Sequence, residues 1–75
     1  PREKVLKIED IMEKPHNENL SDLKVLKSEI IENVAEKILT QEKSVGVFDE
    51  NNQIVGTVHP SKIINTVFGG KKNSD

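Results

Sequence analysis

The chain contains no cysteine, no tryptophan and no tyrosine, and only two phenylalanines among its 75 residues. Without cysteine there is no disulfide staple and no thiolate metal site, a usage that suits a reducing compartment. Two aromatics cannot make a stacking platform for single-stranded nucleic acid. Charge of one sign is lacking as well. Eleven Lys and Arg against thirteen Asp and Glu leave a formal charge of −2, and the two signs alternate as on a solvated surface. The basic face that nucleic acid requires is missing. No apolar run approaches the roughly 20 residues needed to span a bilayer, and no stretch has the character of a secretory signal peptide.

What is present is a small, almost wholly aliphatic set of apolar residues, 33% of the chain. A chain this short makes one domain, near the lower size limit at which a core holds a fold unaided. Support from a second copy or a neighbouring domain is therefore expected. A sequence that begins at Pro1 rather than Met is expected to be a piece of something longer.

Residues 1–7 are charged and read as a linker or arm. Ile8, Ile11 and Met12 have helical spacing over one turn, predicting a short helix across 8–13. It must stop near Pro15, because the residue before a proline avoids the helical region. Residues 14–19 are polar and turn-rich, a loop. From Ile30 the apolar positions Ile31, Val34, Ala35, Ile38 and Leu39 follow the spacing of an amphipathic helix. Ser28 is placed to cap it and Glu29 to meet the positive end of its dipole. Upstream, Leu23 and Leu26 can extend that helix with Ser21 as the cap, or residues 24–27 can form a short strand. Periodicity leaves both open.

Val45, Val47 and Phe48 predict a strand, residues 49–52 a tight turn, and Ile54, Val55 and Val58 the returning strand. Adjacent asparagines tolerate the positive φ that hairpin turns demand. Both strands are nearly continuous in apolar character, which predicts cover on both faces. Gly56 inside the second strand marks a close approach of backbone or ligand. Pro60 suits a first helical position, and Ile63, Ile64, Val67 and Phe68 then predict a second amphipathic helix. Gly69 and Gly70 end it, and residues 70–75 form a flexible polar tail.

Few side chains suggest chemistry. His59 is either a ligand contact, a pH-sensitive switch, or simply a cap for the last helix. Lys62 stands where a cation opposes the helix dipole, so it either approaches an anionic ligand or is a solvated lysine. Ser61 has no His–Asp pair to activate it. His16 belongs to an exposed loop, and two histidines with scattered carboxylates make no metal-ligand set. Glu9–Asp10 and Asp49–Glu50 are adjacent in sequence, not facing as acid–base catalysis needs. Neither an enzyme nor a metal site is expected.

Three segments carry a family likeness. Glu9-Asp10-Ile11-Met12 looks like an opening "(D/E)-D-(I/V)-M". Val45-Gly46-Val47-Phe48-Asp49-Glu50-Asn51-Asn52 looks like a "PVVDEDG" strand and turn. Gln53-Ile54-Val55-Gly56-Thr57-Val58 looks like an "(R/K)-(L/I)-(V/I)-G-(I/V)-(V/I)" strand feeding the last helix. Together, in this order, they resemble one cystathionine-β-synthase (CBS) domain. The resemblance implies an α+β fold over residues 8–69: a short helix, then β-α-β-β-α, with a small sheet covered by two helices. It also favours the strand at 24–27. Members that bind adenosine nucleotides carry Gly-x-x-(Thr/Ser)-x-x-Asp at the last strand–helix junction. That frame maps the ligand cleft onto Gly56, Val58, His59 and Lys62. Here His59 replaces the hydroxyl residue and Lys62 the ribose-binding Asp, and a cation accepts no hydrogen bond from a ribose diol. Gly46 stands for the family's Pro, and the loop from Glu13 to Asp22 is longer than usual.

By resemblance the chain is a non-catalytic regulatory module, without a cofactor, that pairs with another CBS domain or forms a homodimer. Its parent would be an ATP-binding subunit of a glycine betaine/proline-type ABC transporter, which the module modulates with osmotic state. It would then be cytoplasmic, at the inner face of the cell membrane, with membrane contact only through the transporter. Two alternatives are an adenosine-nucleotide sensor of another enzyme or channel, with His59 and Lys62 on phosphate, and a pure oligomerisation domain.

Overall fold

A computed structural model describes residues 5–68. The chain enters through Leu6 and Lys7, which are part of the fold rather than a free linker. Leu6 packs against the core, and Lys7 forms an antiparallel bridge with Ile30. Residues 1–4 lie outside the described part. The helix expected over 8–13 contracts to a single 3-10 turn, Ile8–Asp10. Lys7 N–H donates to the Asp10 carboxylate at 2.8 Å, and the N–H groups of Ile11 and Met12 both reach Ile8 O at 3.0 Å. Glu13 then leaves to pair with Thr57, exchanging N–H···O bonds of 2.8 and 3.0 Å. The sheet edge satisfies this backbone where Pro15 would have stopped a helix.

Strand β1 is Leu20–Leu26, so the strand reading holds for residues 24–26 but extends upstream to Leu20 and stops short of Lys27, which is in a turn. Asn19, at φ 52°, turns the loop into it. The helix α1, Ile31–Leu39, starts later than a Ser28 cap implies: Ile30 is the N-cap residue and offers no side-chain bond. The first helical N–H, on Ile31, instead donates to Leu6 O at 3.0 Å. The arm's backbone thus does the capping that the sequence assigned to Ser28. Glu32, not Glu29, is the acid in the first turn.

Strands β2, Ser44–Phe48, and β3, Ile54–Val58, form the expected hairpin. The sheet order is β1-β2-β3, parallel then antiparallel. Asp49 organises the turn, its Oδ1 accepting from Asn51 N and Gln53 N at 2.9 Å each. Of the adjacent asparagines only Asn52 takes positive φ, at 64°.

One face of the sheet holds the core: Val25, Val45, Val47 and Val58 pack with Ile31, Val34, Ala35 and Ile38 of α1, with Ile8 and with Ile63. The expected cover on both faces is not found. On the opposite face Phe48 folds over Gly46, where an added Cβ would lie 2.9 Å from Phe48 Cε1. Lys24 Nζ sits 4.9 Å from the same ring centre, and Leu26 beside it is 44% exposed. The single β1-α1-β2 crossover puts α1 on one side only.

After β3 the chain forms α2, Pro60–Ile63, and continues as a π-helical segment, Ile64–Phe68. The second amphipathic helix laid along the sheet is therefore only half realised. Pro60 and Ile63 are buried, but Ile64, Val67 and Phe68 are 47%, 39% and 62% exposed. Hydrogen bonding from i to i+5 puts more than four residues in each turn. Residues four apart no longer stack, and Val67 rotates off the face that Ile63 buries. Gly69, Gly70 and the 70–75 tail lie outside the described residues. The result is a small α+β module with a three-stranded sheet and two helices.

Candidate functional site

Of the four cleft candidates, His59 borders a cavity that the other three do not line. It lies at the exit of β3, where an extended backbone of φ −88° and ψ 145° makes it the N-cap of α2. Its Nδ1 accepts from Ser61 N at 3.1 Å and lies 3.0 Å from Ser61 Oγ. Pro60 follows at the first helical position and has no N–H to satisfy. The capping role weighed for His59 is the one the geometry realises. A pairing of Ser and His at i, i+2 is a local turn contact. Among the described residues no carboxylate accepts from the other ring nitrogen, so the third group that an activated serine needs is missing.

The cavity at His59 has a volume of about 420 Å³ and is lined by His16, Glu18, Asn19, Glu42, Lys43, Ser44 and His59. Both histidines of the chain therefore border one cleft, a meeting that nothing in the sequence signals. His16 is exposed in its loop, as expected, and its Nδ1 accepts from Glu18 N at 3.3 Å. The lining mixes imidazole, ammonium and carboxylate groups. Such a surface suits a small polar or zwitterionic group, not an apolar one. Among the described residues no cluster of three His, Asp or Glu side chains could hold a metal ion.

The other three candidates lie elsewhere. Val58 is 1% exposed and belongs to the core opposite Val45. Gly56 does mark a close approach, but the approaching groups are the chain's own. A Cβ at Gly56 would lie 2.5 Å from Met12 Sδ and 2.9 Å from Glu13 O. Lys62 is half-buried in the first turn of α2, its N–H bonded to His59 O at 2.8 Å. These three do not line the cavity at His59. Met12 was legible as an apolar residue, but its seat over Gly56 follows from the Glu13–Thr57 bridge, for which the sequence has no marker.

A second, more apolar groove of about 290 Å³ lies between Val5, Leu6, the start of α1 at Ile30 to Glu32, and Thr66 and Val67. Exposed Phe68 is the next residue along. No helix among the described residues is long and apolar enough to cross a membrane.

No family model matches the chain, and no solved structure matches it. Among curated proteins it is 78% identical over 72 residues, 96% of its length, to the trimethylamine N-oxide transport system ATP-binding protein TmoW of Pelagibacter ubique (strain HTCC1062). The chain spans 21% of that relative, so it is similar to about one fifth of a transport-system ATP-binding protein.

Proposed function

We propose that this chain is a regulatory, non-catalytic CBS-like module of an ABC-transporter ATP-binding subunit that serves uptake of a small osmolyte. The observation that carries this reading is the 78% identity across 96% of the chain to part of a trimethylamine N-oxide transport ATP-binding protein. Trimethylamine N-oxide and glycine betaine are both small methylated amines with balanced charge, so either suits a transporter of this kind. The module itself offers no phosphate-cradling loop and no activated nucleophile among the described residues. ATP hydrolysis is accordingly assigned to the rest of the subunit. The module acts by association, as a homodimer or with another CBS domain, and biases hydrolysis with ionic strength. The open sheet face around Leu26 and the exposed turn at Ile64, Val67 and Phe68 supply apolar surface for such pairing. Its place is the cytoplasmic side, with membrane contact only through the transporter complex. The adenosine-sensing alternative gains no support from a Gly56 roofed by Met12 or a Val58 buried in the core.

The test is deletion of the homologous segment from the ATP-binding subunit of a trimethylamine N-oxide transport system reconstituted in vesicles. ATP hydrolysis and uptake are followed over a series of salt concentrations. Hydrolysis should persist while its salt response is lost. A salt response that survives deletion unchanged would sink the regulatory reading.

A further inference from the structure

We propose that the cleft at His59 is an acid-sensitive latch: protonation of His59 removes the cap of α2 and loosens the C-terminal apolar turn. This does not rest on the transporter reading, since every group involved is in the chain itself. In both histidines Nδ1 accepts a backbone N–H, from Ser61 at 3.1 Å and from Glu18 at 3.3 Å. An acceptor nitrogen carries no proton, which places the hydrogen of each neutral ring on Nε2. An imidazolium carries hydrogen on both nitrogens and accepts nothing. Acid therefore turns each of these two backbone contacts into one N–H facing another; at His59 the new Nδ1–H can donate to Ser61 Oγ, 3.0 Å away, but that leaves Ser61 N unsatisfied.

At His59 the loss falls on a helix start with little in reserve. Pro60 has no N–H, Lys62 N is already bonded to His59 O at 2.8 Å, and Ser61 N is left without its partner. The new positive charge also lies at the wrong end of the helix dipole. The charged groups around the cleft divide: Lys43 and a protonated His16 oppose the second charge, while Glu18 and Glu42 favour it. These side chains are exposed, so their attraction is screened by solvent, whereas the cap is a direct contact. Protonation thus costs the folded chain a bond that the unfolded chain never had. By linkage, a bond that only the neutral ring makes, and only in the folded chain, makes folding weaker in acid. The segment released is the one that carries Ile64, Val67 and Phe68.

Nitrogen and amide NMR of the intact chain, from pH 8 to pH 5, tests this. At pH 8 the His59 ring should be the Nε2–H tautomer. The Ser61 amide and those of residues 64–68 should move with the His59 titration, and the unfolding constant should rise roughly fivefold, the usual effect of losing one cap. His59→Asn keeps an acceptor at the N-cap that does not titrate, so it should fold and abolish the response at Ser61 and 64–68. His16→Asn should leave that response in place. An Nδ1–H tautomer at pH 8, or a His59→Asn chain with the native pH response, would overturn the proposal.

Discussion

The helix α1 and the C-terminal turn carry the same apolar spacing and meet different fates. Ile31, Val34, Ala35 and Ile38 are all buried against the sheet, whereas of Ile63, Ile64, Val67 and Phe68 only Ile63 is. The difference comes from what surrounds each segment. The β1-α1-β2 crossover sets the buried side of α1 in one core with Val25, Val45 and Val47, and α2 packs close beside it. The arm at Leu6 then fixes where α1 starts. The C-terminal segment touches the core for one turn, and its π-helical continuation then swings the remaining side chains outward. Apolar periodicity states that a face seeks cover. It does not state whether the cover is in the same chain.

The sharpest way to break this contrast is a matched pair of substitutions. Ile38→Ala empties a site with no solvent exposure and should cost about 2–5 kcal/mol. Ile64→Ala, from a residue 47% exposed, should stay within about 0.5 kcal/mol in the dilute chain. Urea unfolding midpoints of the two variants decide the matter, and equal losses would mean that the C-terminal turn is packed after all. Next in size is Gly56→Ala. Met12 can swing its thioether away from a new Cβ, but Glu13 O at 2.9 Å is backbone held in the bridge to Thr57. A loss of about 1–3 kcal/mol is expected. Met12→Ala in the same chain should recover only part of it, and full recovery would show the Glu13 bridge to be loose. Asp49→Ala removes the acceptor of two turn N–H groups and should cost about 1–2 kcal/mol, with amide exchange accelerating at Asn51 and Gln53.

The features legible in the sequence were those carried by local pattern. The hairpin follows from two apolar runs around Asp49 and Asn52, and the buried face of α1 from its spacing. His59 ahead of Pro60 was readable as a helix start. The strand over residues 24–27 needed the family likeness, because Leu23 and Leu26 satisfy helix and strand equally. What escaped is backbone pairing between distant segments: Lys7 with Ile30, Glu13 with Thr57, and the loop that brings His16 to the cleft of His59. Such contacts use N–H and C=O groups that every residue but proline has, so composition and period carry no trace of them. The same blindness misplaced the start of α1, whose first N–H is met by Leu6 O rather than by Ser28. Gly56 was rightly read as a close approach, but only the fold could show that Met12 makes it.

The smallest expected effect concerns the charge on the arm that anchors α1. Glu9 and Lys27 lie 3.9 Å apart, with their side chains 38% exposed at Lys27 and 34% at Glu9. The arm is already held there by backbone: Glu9 N donates to Lys27 O at 3.0 Å and Ile8 N to Glu29 O at 2.9 Å, with Ile8 fully buried. A long, solvated pair on top of such a frame contributes little, because water and salt screen it while two long side chains lose freedom to hold it. Glu9→Gln should therefore shift stability by less than about 0.5 kcal/mol and leave the salt dependence of unfolding nearly unchanged. A Glu9→Gln chain whose unfolding becomes insensitive to salt would show that this ion pair, and not the backbone frame beneath it, is what holds the arm in place.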